Sequence, residues 1–325
     1  MGPTLESSVD GAPAEKLRVL GSLGVLVPVY NEVEAIKPFY QSLKPVLSGL
    51  GCCTEVLFVD DGSTDGTRAA IKRLQAKDPS VRLVGLSRNF GKEAALSAGL
   101  DRLDTDVVVP IDVDLQDPPD LISTMIERWQ EGYDVAYAVR SDRSVDKWTK
   151  RATAGLFYRI FNAIGSSQIP VDAGDFRLID RRVVTALRQL PERNRLMKGL
   201  FAWVGFRSIG VPYVRQSRHT GFTRLRWWML WRLALDGITG FSTLPLRVWT
   251  YVGILIAIVA FVYGLIIVAQ TLIAGVDVPG YASLMVVVLF LGGIQLMSLG
   301  ILGEYLGRLF IEVKMRPIYL IDEES

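Results

Sequence analysis

Val107–Pro119 reads VVVPIDVDLQDPP. Its first five residues, Val107–Ile111, form an unbroken apolar run, the pattern of a strand buried on both faces. Carboxylates then arrive at alternate positions, Asp112 and Asp114, with Gln116 two further on. On an extended chain such residues point to one side, so the spacing predicts that Asp112 and Asp114 converge. Pro118 and Pro119 close the segment with a rigid exit. Two acids converging at the end of a buried strand repel unless a cation lies between them. A hard divalent ion, Mg²⁺ or Mn²⁺, with a phosphate completing its shell, fits that need. Taken alone, an Asp-x-Asp is more often a solvated turn; the strand before it and the prolines after it favour the metal.

Upstream, apolar runs and helical stretches alternate. Val25–Val29 reads as a strand ending in Tyr30-Asn31-Glu32, followed by a helix to about Leu47. Glu55–Val59 is a second strand that runs into Asp60-Asp61-Gly62-Ser63-Thr64-Asp65-Gly66-Thr67, a turn rich in capping residues before a helix over Arg68–Gln75. Val81–Leu86 is a third, ending in Ser87–Lys92 before a helix over Glu93–Leu100. Strand and helix alternating at this spacing predict a mainly parallel α/β sheet with helices on both faces. Every strand ends in polar residues, and in an open α/β sheet that edge binds ligands. The ligand suggested is polar and phosphorylated. Neither G-x-G-x-x-G nor G-x-x-x-x-G-K-[ST] is present, so the dinucleotide and P-loop fingerprints are missing.

VPVYNE, VDDGSTDGT, the Arg88–Lys92 turn and DVDLQDPP together resemble glycosyltransferase family 2, the GT-A nucleotide-sugar fold. The resemblance implies a nucleotide-sugar donor held by Pro28, Tyr30, Glu32, Asp60, Asp61 and Lys92. It places Asp112, Asp114 and Gln116 around the metal and the donor diphosphate, with Asp114 catalytic. Tyr133–Val139 reads as a further strand ending at Arg140, ahead of Arg143, Lys147, Lys150 and Arg151. The basic run reads first as a solvated face; Arg140, at a strand end, is the better candidate for phosphate. Ala152–Ile164 reads as a helix with packing aromatics.

Val171–Leu178 carries Asp175 and Arg177 at alternate positions. With Arg193-Asn194-Arg195 and Trp203–Phe206, it resembles the branch that loads sugars onto polyprenyl phosphates, the bactoprenol glucosyltransferases and dolichol-phosphate mannose synthases. That branch implies Asp175, as an orienting group, and Arg140 as catalytic residues beside Asp114, and Arg140, Arg151, Arg177, Arg195 and Arg224 as ligands of the acceptor phosphate. Its Gly-Glu-Ser-Lys-like segment is replaced here by Gly221-Phe222-Thr223-Arg224, so a cation remains but the acid is lost. His219, the single histidine, receives no catalytic role.

Between Gly205 and Thr250 the chain has seven arginines, no lysine and one acid, Asp236, with Trp227, Trp228 and Trp231 interleaved. Arginine mixed with tryptophan suits a helix at headgroup level; an ordinary packed amphipathic helix competes over Leu233–Ile238. Val248–Ile273 and Ala282–Gly303 then carry no charge. Each is long enough to span about 30 Å of hydrocarbon at about 1.5 Å per residue. The loop between them holds Asp277, while Arg247, Arg308, Lys314 and Arg316 flank the outer ends, so both termini are expected in the cytoplasm.

The 325 residues are therefore expected to divide into a mobile tail (1–16), a GT-A catalytic domain (17–223), interfacial helices (224–246), a two-helix transmembrane hairpin (247–306) and a cytoplasmic tail (307–325). The polar start, Met1–Gly24, does not read as a signal peptide, and Cys52 and Cys53, the two cysteines, suit a reducing compartment. A net charge of +2 gives no sign of a nucleic-acid partner. The expected reaction is inverting transfer of a sugar to polyprenyl phosphate at a bacterial plasma membrane, with UDP-glucose the first donor and GDP-mannose the second. The spans leave a homo-oligomer open. A processive polysaccharide synthase would need more spans and a Q-x-x-R-W segment, and Thr223 stands where that Gln would be. The rival from another class is an inactive membrane scaffold, against which the intact aspartates count.

Overall fold

The computed structural model describes residues 18–140, 173–193, 195–213, 244–274 and 280–325. The expected tail (1–16), the helix over Ala152–Ile164, Arg143, Lys147, Lys150, Arg151, His219, Arg224, Asp277 and nearly all of the expected interfacial segment lie outside them.

The first half alternates as its pattern demands: β1 (Ser22–Val29), α1 (Val33–Gly49), β2 (Cys53–Asp60), α2 (Thr67–Gln75), β3 (Val81–Leu86), α3 (Lys92–Leu100), β4 (Val107–Pro110), α4 (Leu121–Gln130) and β5 (Val135–Arg140). Then follow β6 (Ala173–Asp180), α5 (Arg181–Gln189), α6 (Met197–Trp203), β7 (Ser208–Tyr213), two long helices, α7 (Leu244–Ala274) and α8 (Tyr281–Lys314), and β8 (Ile321–Glu324). The strands form one sheet in the order β7-β5-β6-β4-β1-β2-β3-β8. β1, β2, β3 and β4 run parallel, as do β5 and β7, while β6 and β8 are antiparallel to their neighbours.

Strand alternation divides the core between two faces. Val25, Val27, Val56 and Phe58 pack with Ile36 and Phe39 of α1, Ile71 of α2 and Trp129 of α4. Leu26, Leu57 and Val59 pack on the opposite face with Ala95 and Leu96 of α3, Leu187 of α5 and Leu200 of α6. Phe39 meets Phe58 edge-on, ring centroids 6.3 Å apart, the geometry that aligns a positive ring edge with a negative face. α3 lies so close to β1 that a Cβ on Gly99 would come within 2.0 Å of Leu26 Cδ1. The chain thus moves outward from β1 to β3 by way of α1 and α2 on one face. It returns to β4 by way of α3 on the other. The strand order reverses between β1 and β4, and there the loops diverge and leave a crevice at the C-terminal edge.

Two expectations need correcting. The strand expected over Val107–Ile111 pairs only to Pro110, and Asp112–Asp117 form a turn, with Leu115 at φ 56°. Asp112 and Asp114 are therefore not alternate residues of an extended strand. Once Ile111 N has donated to Leu26 O the ladder gives out, and Asp114 Oδ1 takes the backbone N–H of Gln116 instead (3.1 Å), the local competition typical of aspartate. Residues 307–325 are not a tail: α8 continues to Lys314, and β8 pairs with β3 at the sheet edge. The acids of β8 face basic neighbours, Asp322 with Arg68, Glu323 with Lys72, and Glu324 with Arg82 and Arg102. Charged residues and a short strand are how an exposed sheet edge is kept from recruiting another chain.

Among the described residues, Val248–Gln270 in α7 and Val286–Lys314 in α8 each hold a stretch long and apolar enough to cross a membrane, and that stretch is not buried inside the protein.

Candidate active site

The loops after β1 and β2 are laced together before any ligand is considered. Asn31, at φ 54°, donates its backbone N–H to Ser63 Oγ (2.9 Å) and accepts from Thr64 N (2.8 Å). Glu32 N donates to Thr67 Oγ1, and Asp65 accepts from Thr67 N at the start of α2. Gly62 has φ 71°, and a Cβ there would lie 2.5 Å from the backbone carbon of Arg88. The glycine of the DDGSTDGT run is thus needed for the close approach of the loop after β3. Tyr30 and Glu32 are exposed on this rim and Pro28 is half-buried.

The paired acids of β2 are buried, and each is committed. Asp60 accepts from Ser63 N (3.1 Å) and from Arg68 Nε (2.9 Å). Asp61 takes the N–H groups of Phe90 (2.7 Å) and Gly91 (2.9 Å), while burial pushes its carboxyl above the usual carboxylate range. Both were expected to hold the nucleotide sugar; in the structure Asp61 also shapes the loop that delivers Lys92.

Lys92, the first residue of α3, is the centre of the site. Its ammonium lies 2.7 and 2.8 Å from the two oxygens of Asp112 and 2.7 Å from Asp175 Oδ2. Lys198 of α6 approaches Asp175 to 3.8 Å. Asp175 reaches this edge because β6 is antiparallel, so the start of that strand meets the ends of β1 to β4. Burial alone would raise the Asp175 carboxyl, but Lys92, then Lys198, overcome it and hold it down at about 2. Burial opposes the charge on Lys92, but Asp112 and then Asp175 outweigh it and raise the ammonium above its ordinary value. The next residue, Glu93, accepts from Met197 N (3.1 Å); burial first, then Asp175, push it up to about 7.

The remaining expected residues separate. Arg140 ends β5 beside Tyr213, whose hydroxyl bonds Asp117; burial and Asp117 raise that hydroxyl to about 12. Arg177 is buried, stacked 4.0 Å from the Phe201 ring and donating to Gly174 O (2.6 Å), and its charge also helps to hold the Asp175 carboxyl down. Arg195 donates to Leu190 O (2.7 Å), Glu192 O (3.2 Å) and Ser97 Oγ (3.2 Å). Gln116 is buried, which leaves Asp112 and Asp114 as the more accessible members of the expected metal set. Sequence reading did not single out Glu93 or Lys198. Glu93 was legible as the acid following Lys92, whereas nothing in the pattern pointed to Lys198.

Carboxylates and a lysine gather where the strand order of a mostly parallel sheet reverses, the crevice at which open α/β domains bind ligands, and the domain is joined to an apolar helical hairpin. The model of glycosyl transferase family 2 matches residues 24–188, and that of the GtrB C-terminal hairpin matches residues 244–309. A bactoprenol glucosyl transferase derived from prophage SfII of Shigella flexneri is 50% identical over 299 residues, 92% of this chain and 97% of that protein. An uncharacterized glycosyltransferase of Synechocystis sp. is 49% identical over 301 residues, 93% of this chain and 95% of its own length. Among solved structures, the mannosyltransferase PcManGT from Pyrobaculum calidifontis in complex with GDP-Man and Mn²⁺ is similar at 21% identity and a TM-score of 0.45, over 70% of this chain and 63% of that one. The chain belongs to glycosyl transferase family 2.

Proposed function

We propose that this protein transfers glucose from UDP-glucose to a polyprenyl phosphate, with inversion, at the cytoplasmic face of a bacterial membrane. The observation that carries the reading is 50% identity to a bactoprenol glucosyl transferase along 92% of the chain, the apolar hairpin included. The acceptor's phosphate monoester, with a second pKa of about 6, is mostly dianionic at neutral pH and attacks without a general base. Asp175, held at about 2, is a poor proton acceptor. Its role is to fix Lys92 and orient the sugar, a contribution of position. Lys92 supplies positive charge beside the departing diphosphate.

A divalent ion fits the same edge. Among the described residues no three His, Cys, Asp or Glu side chains form a ready cage. Mg²⁺ or Mn²⁺ needs only one or two carboxylates and draws the rest of its shell from phosphates and water. Asp112 already holds a cation, Lys92, at 2.7 Å, so the donor chemistry is right for Asp112 and Asp114 to hold the metal. When bound, it would neutralise charge on the diphosphate.

Both spans crossing would return the chain to the side it left. The pairing of β8 with β3 supports this, since it ties the end of α8 to the catalytic domain. With Arg247, Arg308, Lys314 and Arg316 at the outer ends, that side is the cytoplasm.

The test is a donor panel. Purified full-length protein with undecaprenyl phosphate should yield labelled glycolipid from UDP-glucose, and excess chelator should abolish it. A product formed only from GDP-mannose would replace the donor assignment. No glycolipid from any donor would end the reading, and full activity in chelator would end the metal.

A further inference from the structure

A cavity of about 420 Å³ opens where the end of α8 meets the catalytic domain. Four cations line it: Arg193 and Arg195 from the loop before α6, and Lys314 and Arg316 from the end of α8 and just beyond. Glu93 is the one acid in the lining, and Phe310 and Ile311 form part of its apolar wall. The side chains of Arg193, Lys314 and Arg316 have no carboxylate partner among the described residues. Arg195 is fixed by its three hydrogen bonds, and Lys314 sits 4.0 Å over the Phe310 ring. Cations gathered in one concave wall with a single acid form a site for a multiply charged anion.

The depth of the cavity selects the anion. The charge-free part of α8 ends at Gly303, and Lys314 stands about 16 Å further along the axis at about 1.5 Å per residue. The headgroup layer extends only roughly 5–8 Å beyond the hydrocarbon. The phosphate of an ordinary two-chain lipid would have to drag both chains out of the bilayer to reach it. A single long prenyl chain need draw out only a few units, and Leu306, Leu309, Phe310 and Ile311, all more than half exposed, form an apolar path upward. The cavity also adjoins the transfer site: Glu93 in its wall directly follows Lys92, whose ammonium joins Asp112 to Asp175.

We propose that this cavity docks the phosphate monoester of the lipid acceptor as it leaves the bilayer, with Arg193, Arg195, Lys314 and Arg316 around the phosphate and the first prenyl units on Phe310 and Ile311. The assignment rests on the polyprenyl-phosphate reading above.

The test uses the full-length protein in neutral detergent without phospholipid. In the double variant Lys314→Gln/Arg316→Gln the acceptor KM should rise about tenfold or more, the loss of one or two charge-assisted contacts. The KM for UDP-glucose should stay within twofold and the melting temperature should not move. Arg193→Gln, made separately, should give the same split and guards against a folding defect in the first variant. Farnesyl phosphate should bind the wild type by thermophoresis and bind the variants about tenfold more weakly, with inorganic phosphate weaker than farnesyl phosphate throughout. An unchanged acceptor KM overturns the assignment. So does a defect seen only in vesicles containing phosphatidylglycerol, which would make the occupant a bulk lipid, or inorganic phosphate binding as tightly as farnesyl phosphate. A wild type that binds farnesyl phosphate through these residues yet transfers no sugar would instead remove the transfer reading and leave the cavity in place.

Discussion

Lys92 is the residue on which the edge of the sheet depends electrostatically. Without it, Asp175 keeps only the weaker pull of Lys198 and Arg177 among the described residues, and burial pushes it upward unopposed by its nearest cation. Lys92→Met should therefore cut kcat by about 10²-fold, as removal of a preorganised charge does in other sites. It should also move the acid limb of the pH–rate profile upward, because a carboxyl no longer held near 2 takes up its proton at higher pH. Activity within twofold of wild type, with the acid limb unmoved, would remove Lys92 from the mechanism. Glu93 makes a second, opposite case. Its carboxyl is raised from 4.5 to about 7, so between those values the folded protein holds a proton that the unfolded chain has released. Stability contributed by Glu93 is thus lost as pH rises from about 4.5 to about 7, and is constant above that. Glu93→Gln, which cannot ionise, should gain melting temperature relative to wild type across this window and hold the gain at pH 8. A difference that does not vary with pH would contradict the assignment.

Elements differ in how openly the sequence declares them. β1 to β4 and α1 to α3 follow from apolar runs broken by capping turns, and the observed bounds of β3, Val81–Leu86, are those the pattern predicts. Two features of the site were not legible. The turn at Asp112–Asp117 looks extended in sequence because Asp, Val and Asp alternate; only the end of pairing at Pro110 reveals otherwise. The placement of Asp175 depends on β6 entering antiparallel, a choice set by long-range packing that leaves no local periodicity. The surroundings of Arg177 were hidden for the same reason: on an antiparallel strand in mid-sheet it lies under Phe201 and acts on Asp175. Glycine positions report close packing more directly. In α3, Gly99 touches Leu26 of β1, and any side chain there must displace the helix that presents Lys92. Gly99→Val is expected to destabilise by about 1–3 kcal/mol through overpacking, in spite of the poor helix propensity of glycine. Thermal unfolding in detergent measures this, and a rise in melting temperature would mean that α3 has room to move.

At the scale of the whole molecule, the chain uses its last residues to tie the membrane hairpin to the nucleotide edge. After α8, β8 joins the sheet beside β3, and Arg68 links it to the buried acid at the end of β2. Arg68 donates to buried Asp60 (2.9 Å), to Asp322 of β8 (2.8 Å) and to Leu86 O (3.2 Å). The two ion pairs have unequal worth. Asp322 is 57% exposed on its side chain, so its pair is screened and contributes about 0–1 kcal/mol. Asp60 is fully buried, and removing its guanidinium leaves a buried charge without its counterion, at a cost of about 3–5 kcal/mol. Arg68→Ala should therefore unfold at a much lower temperature than wild type and raise the KM for the nucleotide donor, since Asp60 anchors the loop after β2. Asp322→Ala should lower the melting temperature only slightly and leave donor KM within about twofold, because Arg68 keeps Asp60 and Leu86. If the two substitutions prove equally damaging, the weight lies in β8 and the hairpin is needed to hold the nucleotide site together. If Arg68→Ala proves mild, Asp60 finds another partner and the β2 loop is braced by its backbone bonds alone.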